Sequence, residues 1–139
     1  MKAIRFAGYA RVLAGIAALA GAALVLSGCW FLPITLDDSA DGTVHSIEVG
    51  DTMIIRLSGN AATGYQWVRT EPASFDGSPL RMIEEGEYTL DDPGVCGGSG
   101  TFTFRYEAVV SGTVAFTFAY KRPWEDEQID SFGVIIWVK

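Results

Sequence analysis

Between Thr101 and Lys121, hydrophobic and polar residues change places at nearly every position. Phe102, Phe104, Tyr106 and Ala108 alternate with Thr101, Thr103, Arg105 and Glu107, and Val114, Phe116, Phe118 and Tyr120 form a second stripe. A period of two places each stripe on one face of a β-strand, whereas helical apolar positions recur every three to four residues. Ser111-Gly112 between the runs predicts a two-residue hairpin turn, because glycine supplies the positive φ that tight turns require. Five more runs fit strands: Val44–Val49, Thr52–Ser58, Tyr65–Thr70, Leu80–Leu90 and Ser131–Val138. Seven short strands in about 100 residues predict an all-β protein, an immunoglobulin-like antiparallel β-sandwich. An eight-stranded barrel would need one strand more than these runs supply.

A segment of another kind precedes the strands. Met1 to Arg11 is basic, with Lys2, Arg5 and Arg11, and Val12 to Leu26 is apolar and rich in alanine. A spanning helix needs roughly 20 apolar residues, and this stretch instead fits the apolar region of a secretory signal, about 7–15 residues long. Leu26-Ser27-Gly28-Cys29 follows at once and resembles the bacterial lipoprotein box, where a peptidase cuts before a lipid-modified cysteine. Residues 1–28 are therefore expected to be a helical signal peptide, absent from the working protein, and Cys29 its lipidated N-terminus. The alternative is an ordinary membrane anchor with an incidental cysteine. Trp30 to Gly42 shows no periodicity, so residues 29–42 read as a solvated tether and 43–139 as the domain. The lipid on Cys29 would hold that domain at a bacterial cell envelope, outside the cytoplasm, in the periplasm or at the surface. Cys96 then has no intramolecular partner and reads as a free thiol.

Composition narrows the function. The 139 residues suffice for one domain, and 49% hydrophobic with 19% charged residues excludes a disordered chain. The formal charge is −7; without the three leader positives, seven basic residues face 17 acidic ones, a net −10. Phosphate backbones repel such a body, so no nucleic-acid partner is expected. One histidine and two cysteines leave little for a zinc site or a histidine triad. His45 and Cys96 lack an orienting third residue, so no enzyme is expected. Glu125, Asp126, Glu127 and Asp130 lack the spacing and glycine of a helix–loop–helix calcium site and read as a solvated loop. Trp67, Trp137 and the strand phenylalanines read as core or sheet-face residues, with no call for a cofactor or metal.

The order of the strands predicts where a site lies. Successive connections alternate between the ends of a sandwich, so Gly59–Gly64, Asp91–Gly100 and Arg122–Asp130 share one end. Loops clustered at the end of a rigid sandwich are the usual place for recognition. They contain Asn60-Ala61-Ala62-Thr63-Gly64-Tyr65, Gly97-Gly98-Ser99-Gly100 and Arg122-Pro123-Trp124. Asn-x-x-Thr-Gly-aromatic, then a glycine-rich loop, then Arg-Pro-Trp resembles the chagasin-like inhibitors of papain-type cysteine peptidases, over roughly Thr43 to Lys139. The resemblance implies that the three loops form a wedge entering the peptidase cleft, that the protein acts as a monomer by reversible occlusion, and that it needs no cofactor.

Residue chemistry suits that role. Ala61, Ala62, Thr63 and Gly64 are small enough for a slim leading edge, and Gly64 permits a sharp turn. Asn60 is expected to bond back to its own loop. Arg122 and Trp124 are residue types that dominate interfaces, and Pro123 restricts their loop before binding. The glycines let the middle loop lie flat with its backbone groups free to pair with the enzyme. The chain departs from the family pattern at Ala61 and Ala62, where proline and threonine are usual, and at Ser99, which replaces a glycine. A second function stays open on these residues: an immunoglobulin-like envelope lipoprotein that binds a partner protein through the same loops.

Overall fold

The computed structural model describes residues 32–139; the leader, Cys29 and Trp30 lie outside the described residues. Eight strands run in chain order: β1 (Ile34–Leu36), β2 (Thr43–Ile47), β3 (Thr52–Gly59), β4 (Gln66–Glu71), β5 (Leu80–Leu90), β6 (Gly100–Ala108), β7 (Gly112–Lys121) and β8 (Gln128–Val138). One sheet has the order β1-β3-β6-β5 and the other β2-β8-β7-β4. The alternating stripes lie inward as their period requires. Phe104 meets Phe118 with ring centroids 4.6 Å apart, and Tyr106 meets Phe116 at 4.7 Å. Met53, Ile55 and Leu57 from β3, Trp67 from β4 and Val134, Ile136 and Val138 from β8 complete the core. Among the described residues this core runs from Leu36 to Val138 and fills the space between the two sheets, so this part of the chain carries folding determinants of its own.

The sandwich corrects three expectations. The first is the hairpin at Ser111-Gly112: β6 and β7 belong to different sheets. The chain crosses between sheets at Val109 and Val110, and the Val109 amide donates to the Pro79 carbonyl at 2.9 Å. Alternation reports which face of a strand is buried and says nothing about its neighbour. Gly112 is needed for another reason, since a Cβ there would stand 2.7 Å from Pro79 Cγ. The in-sheet hairpins are β5–β6 and β7–β8.

The second concerns the tether. Over residues 34–42 the chain is part of the sandwich: β1 pairs with β3 and buries Leu36, and a 3-10 turn at Asp38–Ala40 buries Ala40. The Asp38 carboxylate accepts from the Ser58 hydroxyl at 2.6 Å, which fixes this turn to the upper half of β3. A three-residue strand is too short to show a period. Third, the sheets are mixed, because β1 is parallel to β3 and β2 is parallel to β8. The eighth strand thus closes the flank of a sandwich and makes no barrel. Several strand ends also shift: β2 stops at Ile47, β4 begins after Tyr65 and β8 begins at Gln128.

Candidate functional site

The parity of the strands places the ends of β3, β5 and β7 together, and the three predicted loops meet there. Asn60 caps a 3-10 turn at Ala61–Thr63, its Oδ1 accepting from the Ala62 amide at 3.0 Å. Its Nδ2 donates to the Gly97 carbonyl at 2.9 Å and so ties the first loop to the second. Gly64 ends the turn with φ +83°, a left-handed conformation that side-chain-bearing residues rarely adopt. Its amide donates to the Ala61 carbonyl at 3.0 Å. The Thr63 hydroxyl donates to the Asn60 carbonyl at 2.7 Å, so its oxygen is left to act as an acceptor.

Arg122 also has a place within the loops that its residue type did not imply. Its Nε donates to the Thr63 carbonyl at 3.2 Å, its guanidinium lies 4.6 Å over the Tyr65 ring, and its Nη1 pairs with Glu125 at 3.2 Å. These bonds make Arg122 a strut between the third loop and the first. Pro123 and Trp124 occupy the middle of a β-turn closed by the Glu125 amide on the Arg122 carbonyl at 3.0 Å, with proline at the position its fixed φ favours. Trp124 is 72% exposed, and its ring edge lies over Gly64, where a Cβ would stand 2.9 Å from Trp124 Cη2. An aromatic so open at the tip of a braced loop is available as a contact surface.

Three carbonyls of the middle loop are bonded within the protein, which corrects the expectation of free backbone groups for these oxygens. The Gly97 carbonyl is taken by Asn60, the Gly98 carbonyl accepts from the Tyr88 hydroxyl at 3.2 Å, and the Ser99 carbonyl accepts from the Asp91 amide at 3.0 Å. Ser99 does not take the left-handed conformation; Gly97 does, at φ +73°. Gly100 is buried where a Cβ would stand 2.5 Å from the Thr89 carbonyl oxygen. The free thiol of Cys96 is exposed beside this loop.

The predicted residues therefore divide by role. Ala61, Ala62, Thr63, Gly97, Ser99, Pro123 and Trp124 are exposed and form the leading surface. Asn60, Gly64, Tyr65, Gly98, Gly100 and Arg122 are half-buried or buried and hold that surface in shape. Sequence reasoning missed the aromatic platform below them. The Tyr120 hydroxyl accepts from the Asn60 amide at 2.9 Å, and the Tyr120 ring packs on Tyr65 and Trp67 with centroids 5.5 and 5.0 Å away. Its one signal was a tyrosine at the loop end of an apolar stripe. Trp67 Nε1 donates to the Ser58 carbonyl at 2.9 Å and anchors β4 to β3 near the first loop. Among the described residues no group of His, Cys, Asp and Glu is placed to hold a metal ion.

A sandwich that braces three loops into one exposed edge, with small residues in front and an open tryptophan, defines a binding protein. Residues 46–136 match the model of the chagasin family of peptidase inhibitors (I42), and the chain belongs to that family. It is a peptidase inhibitor and not an enzyme. It is similar to chagasin of Trypanosoma cruzi, 26% identical over 99 residues that span 71% of this chain and 90% of chagasin. It is also similar to amoebiasin-1 of Entamoeba histolytica, 30% identical over 93 residues, 66% of this chain and 84% of the relative. Among solved structures, its fold matches a cysteine protease inhibitor from Entamoeba histolytica with TM-score 0.65 at 21% identity, covering 77% of this chain and 96% of that one. Amebosin in solution matches with TM-score 0.62 at 25% identity, covering 78% and 99%.

Proposed function

We propose that this protein is a reversible inhibitor of papain-like cysteine peptidases, and that the loops around Asn60, Gly97 and Trp124 occlude the active-site cleft. The observation that carries the reading is the bracing of the three loops. Asn60 bonds the first loop to the second and Arg122 bonds the third to the first, so one edge is preformed before binding. Preformed loops lose little conformational entropy on docking, which favours tight association. The exposed residues are small at the front, as a narrow cleft with its nucleophile at the bottom requires, and Trp124 stands to one side as an anchor. No bond to the peptidase is made or broken in this scheme, so inhibition reverses on dilution.

The place of action follows from Cys29. Lipid on that residue holds the inhibitor at a bacterial envelope, with the sandwich outside the cytoplasm, where it intercepts peptidases that reach the cell surface or periplasm. Addition of residues 29–139 to papain with a fluorogenic peptide tests the inhibitor reading. Competitive, dilution-reversible loss of turnover is expected. Full turnover with several papain-type peptidases at micromolar inhibitor would overturn it and leave the partner-binding lipoprotein in its place.

A further inference from the structure

The two outer faces of the sandwich differ in kind. Outward from the β1-β3-β6-β5 sheet, ion pairs join neighbouring strands, Arg105 with Glu84 at 3.7 Å and Arg81 with Glu107. Outward from the other sheet, the paired positions from Thr117–Gly133 down to Thr113–Trp137 on β7 and β8, with Val44 and Ser46 on β2, carry no charge. Three large apolar side chains stand there in register: Val44 is 62% exposed opposite Ile135 at 42%, and Trp137 is 58% exposed opposite Ser46. Val49, also exposed, continues the patch at the base of the sandwich, its amide donating to the Lys139 carbonyl at 3.2 Å.

Chain connectivity says what covers this patch. β1 starts opposite Met53, at the end of β3 remote from Asn60, so the chain enters the sandwich at the base. Cys29 precedes Ile34 by five residues, a reach of about 17 Å at full extension. β1 and β2 lie on the same flank, since each is the edge strand of its sheet and one short turn joins them. A lipid on Cys29 thus holds the bilayer within reach of the base and of the β2–β8 face, while the loops stand more than about 20 Å further along β3. Of these two surfaces the base carries Glu48, Asp51 and Lys139, whereas the β2–β8 face carries no charge and settles against lipid at the smaller desolvation cost. A tryptophan among aliphatic residues suits the water–hydrocarbon boundary.

We infer that the outer face of β2 and β8, through Val44, Ile135 and Trp137, rests on the bilayer surface and orients the anchored inhibitor with its strands along the membrane and its loops at one side, clear of the lipid. The inference rests on the lipid-anchor reading of Cys29. The test installs the anchor chemically, so its result does not depend on whether cells lipidate the protein. Residues 29–139 with Cys96→Ser and Trp30→Phe are coupled through Cys29 to a maleimide lipid in phosphatidylcholine vesicles, with and without bromine on the acyl chains. Brominated chains should quench tryptophan emission, Trp137→Phe should abolish the quenching, and Trp124→Phe should leave it unchanged. Absence of quenching, or quenching that survives Trp137→Phe, overturns the inference. Sedimentation of the uncoupled piece covers the rival occupant: a monomer supports the bilayer, and a dimer lost on Ile135→Glu assigns the face to a second copy.

Discussion

At the scale of single residues, the site works through a separation between side chains that face outward and side chains that hold them. Trp124 is the clearest of the first kind, open to solvent with its ring edge over the Gly64 backbone. Trp124→Ala should therefore weaken inhibition by about 1–3 kcal/mol, about 5–150-fold in the inhibition constant, with an unchanged circular dichroism spectrum. The alanines at 61 and 62 leave room for improvement. Ala61 is the first residue of its 3-10 turn, where proline is well tolerated, and Asn60 before it has φ −135° and ψ 99°, which suits a residue preceding proline. Ala61→Pro with Ala62→Thr should lower the inhibition constant by stiffening the loop and adding a hydroxyl to its exposed surface, read by titration against papain. Deep in the core, the Tyr106 hydroxyl is buried without a hydrogen-bond partner, and that burial pushes its pKa far up. Tyr106→Phe removes an unsatisfied polar group from a ring that packs on Phe116, so it should be neutral or raise stability by about 1 kcal/mol in urea unfolding.

At the scale of elements, the short β1 decides where the domain begins. It covers the edge of β3, buries Leu36 against the core and leads into the turn that Asp38 fastens to Ser58. The family match begins only at residue 46, so this flank lies outside it. Leu36→Ala should cost about 2 kcal/mol or more, the range for truncating a buried leucine. A chain starting at Thr43 should unfold at lower urea than one starting at Leu32; equal midpoints would show β1 to be energetically idle. The opposite edges are guarded differently. β5 is interrupted by two register shifts and β4 by one, and Arg69 on β4 pairs with Glu85 on β5 at 2.6 Å. Bulges and charge on exposed edges discourage strand addition by another chain.

At the scale of the whole molecule, the base and the inhibitory edge lie at opposite ends of the strands, so the proposed anchor on Cys29 would not compete with inhibition for surface. Cys29→Ser should shift the protein from membrane to soluble or unprocessed fractions while inhibition by the purified domain stays the same. A variant that matures and fractionates with membranes like the parent would overturn the lipid anchor on Cys29. The acidic cluster at Glu125, Asp126 and Glu127 sits beside Trp124, with Asp126 and Glu127 exposed and Glu125 held by Arg122. It places negative charge at the rim of the binding edge, where charge acts mainly on the rate of encounter.

What the sequence determined by itself was local or nearly so. The period of two in β6 and β7 identified their buried faces, because burial follows the pleat of each strand alone. The common end of the three loops followed from counting strand crossings, and the motifs at Asn60, Gly97 and Arg122 pointed to the inhibitor family. Tertiary structure alone decided which strands are neighbours, because side chains facing one core can come from either sheet; the Ser111-Gly112 turn joins sheets for that reason. It also recruited β1, whose three residues gain their structure from pairing with β3 and carry no pattern of their own. Arg122 became a strut because Thr63 and Tyr65, distant in the chain, are brought beneath it. The uncharged face of Val44, Ile135 and Trp137 likewise exists only through the register of β2 against β8. Patterns within one strand are written in consecutive residues, whereas pairing and register are set by which distant segments bury the most apolar surface together.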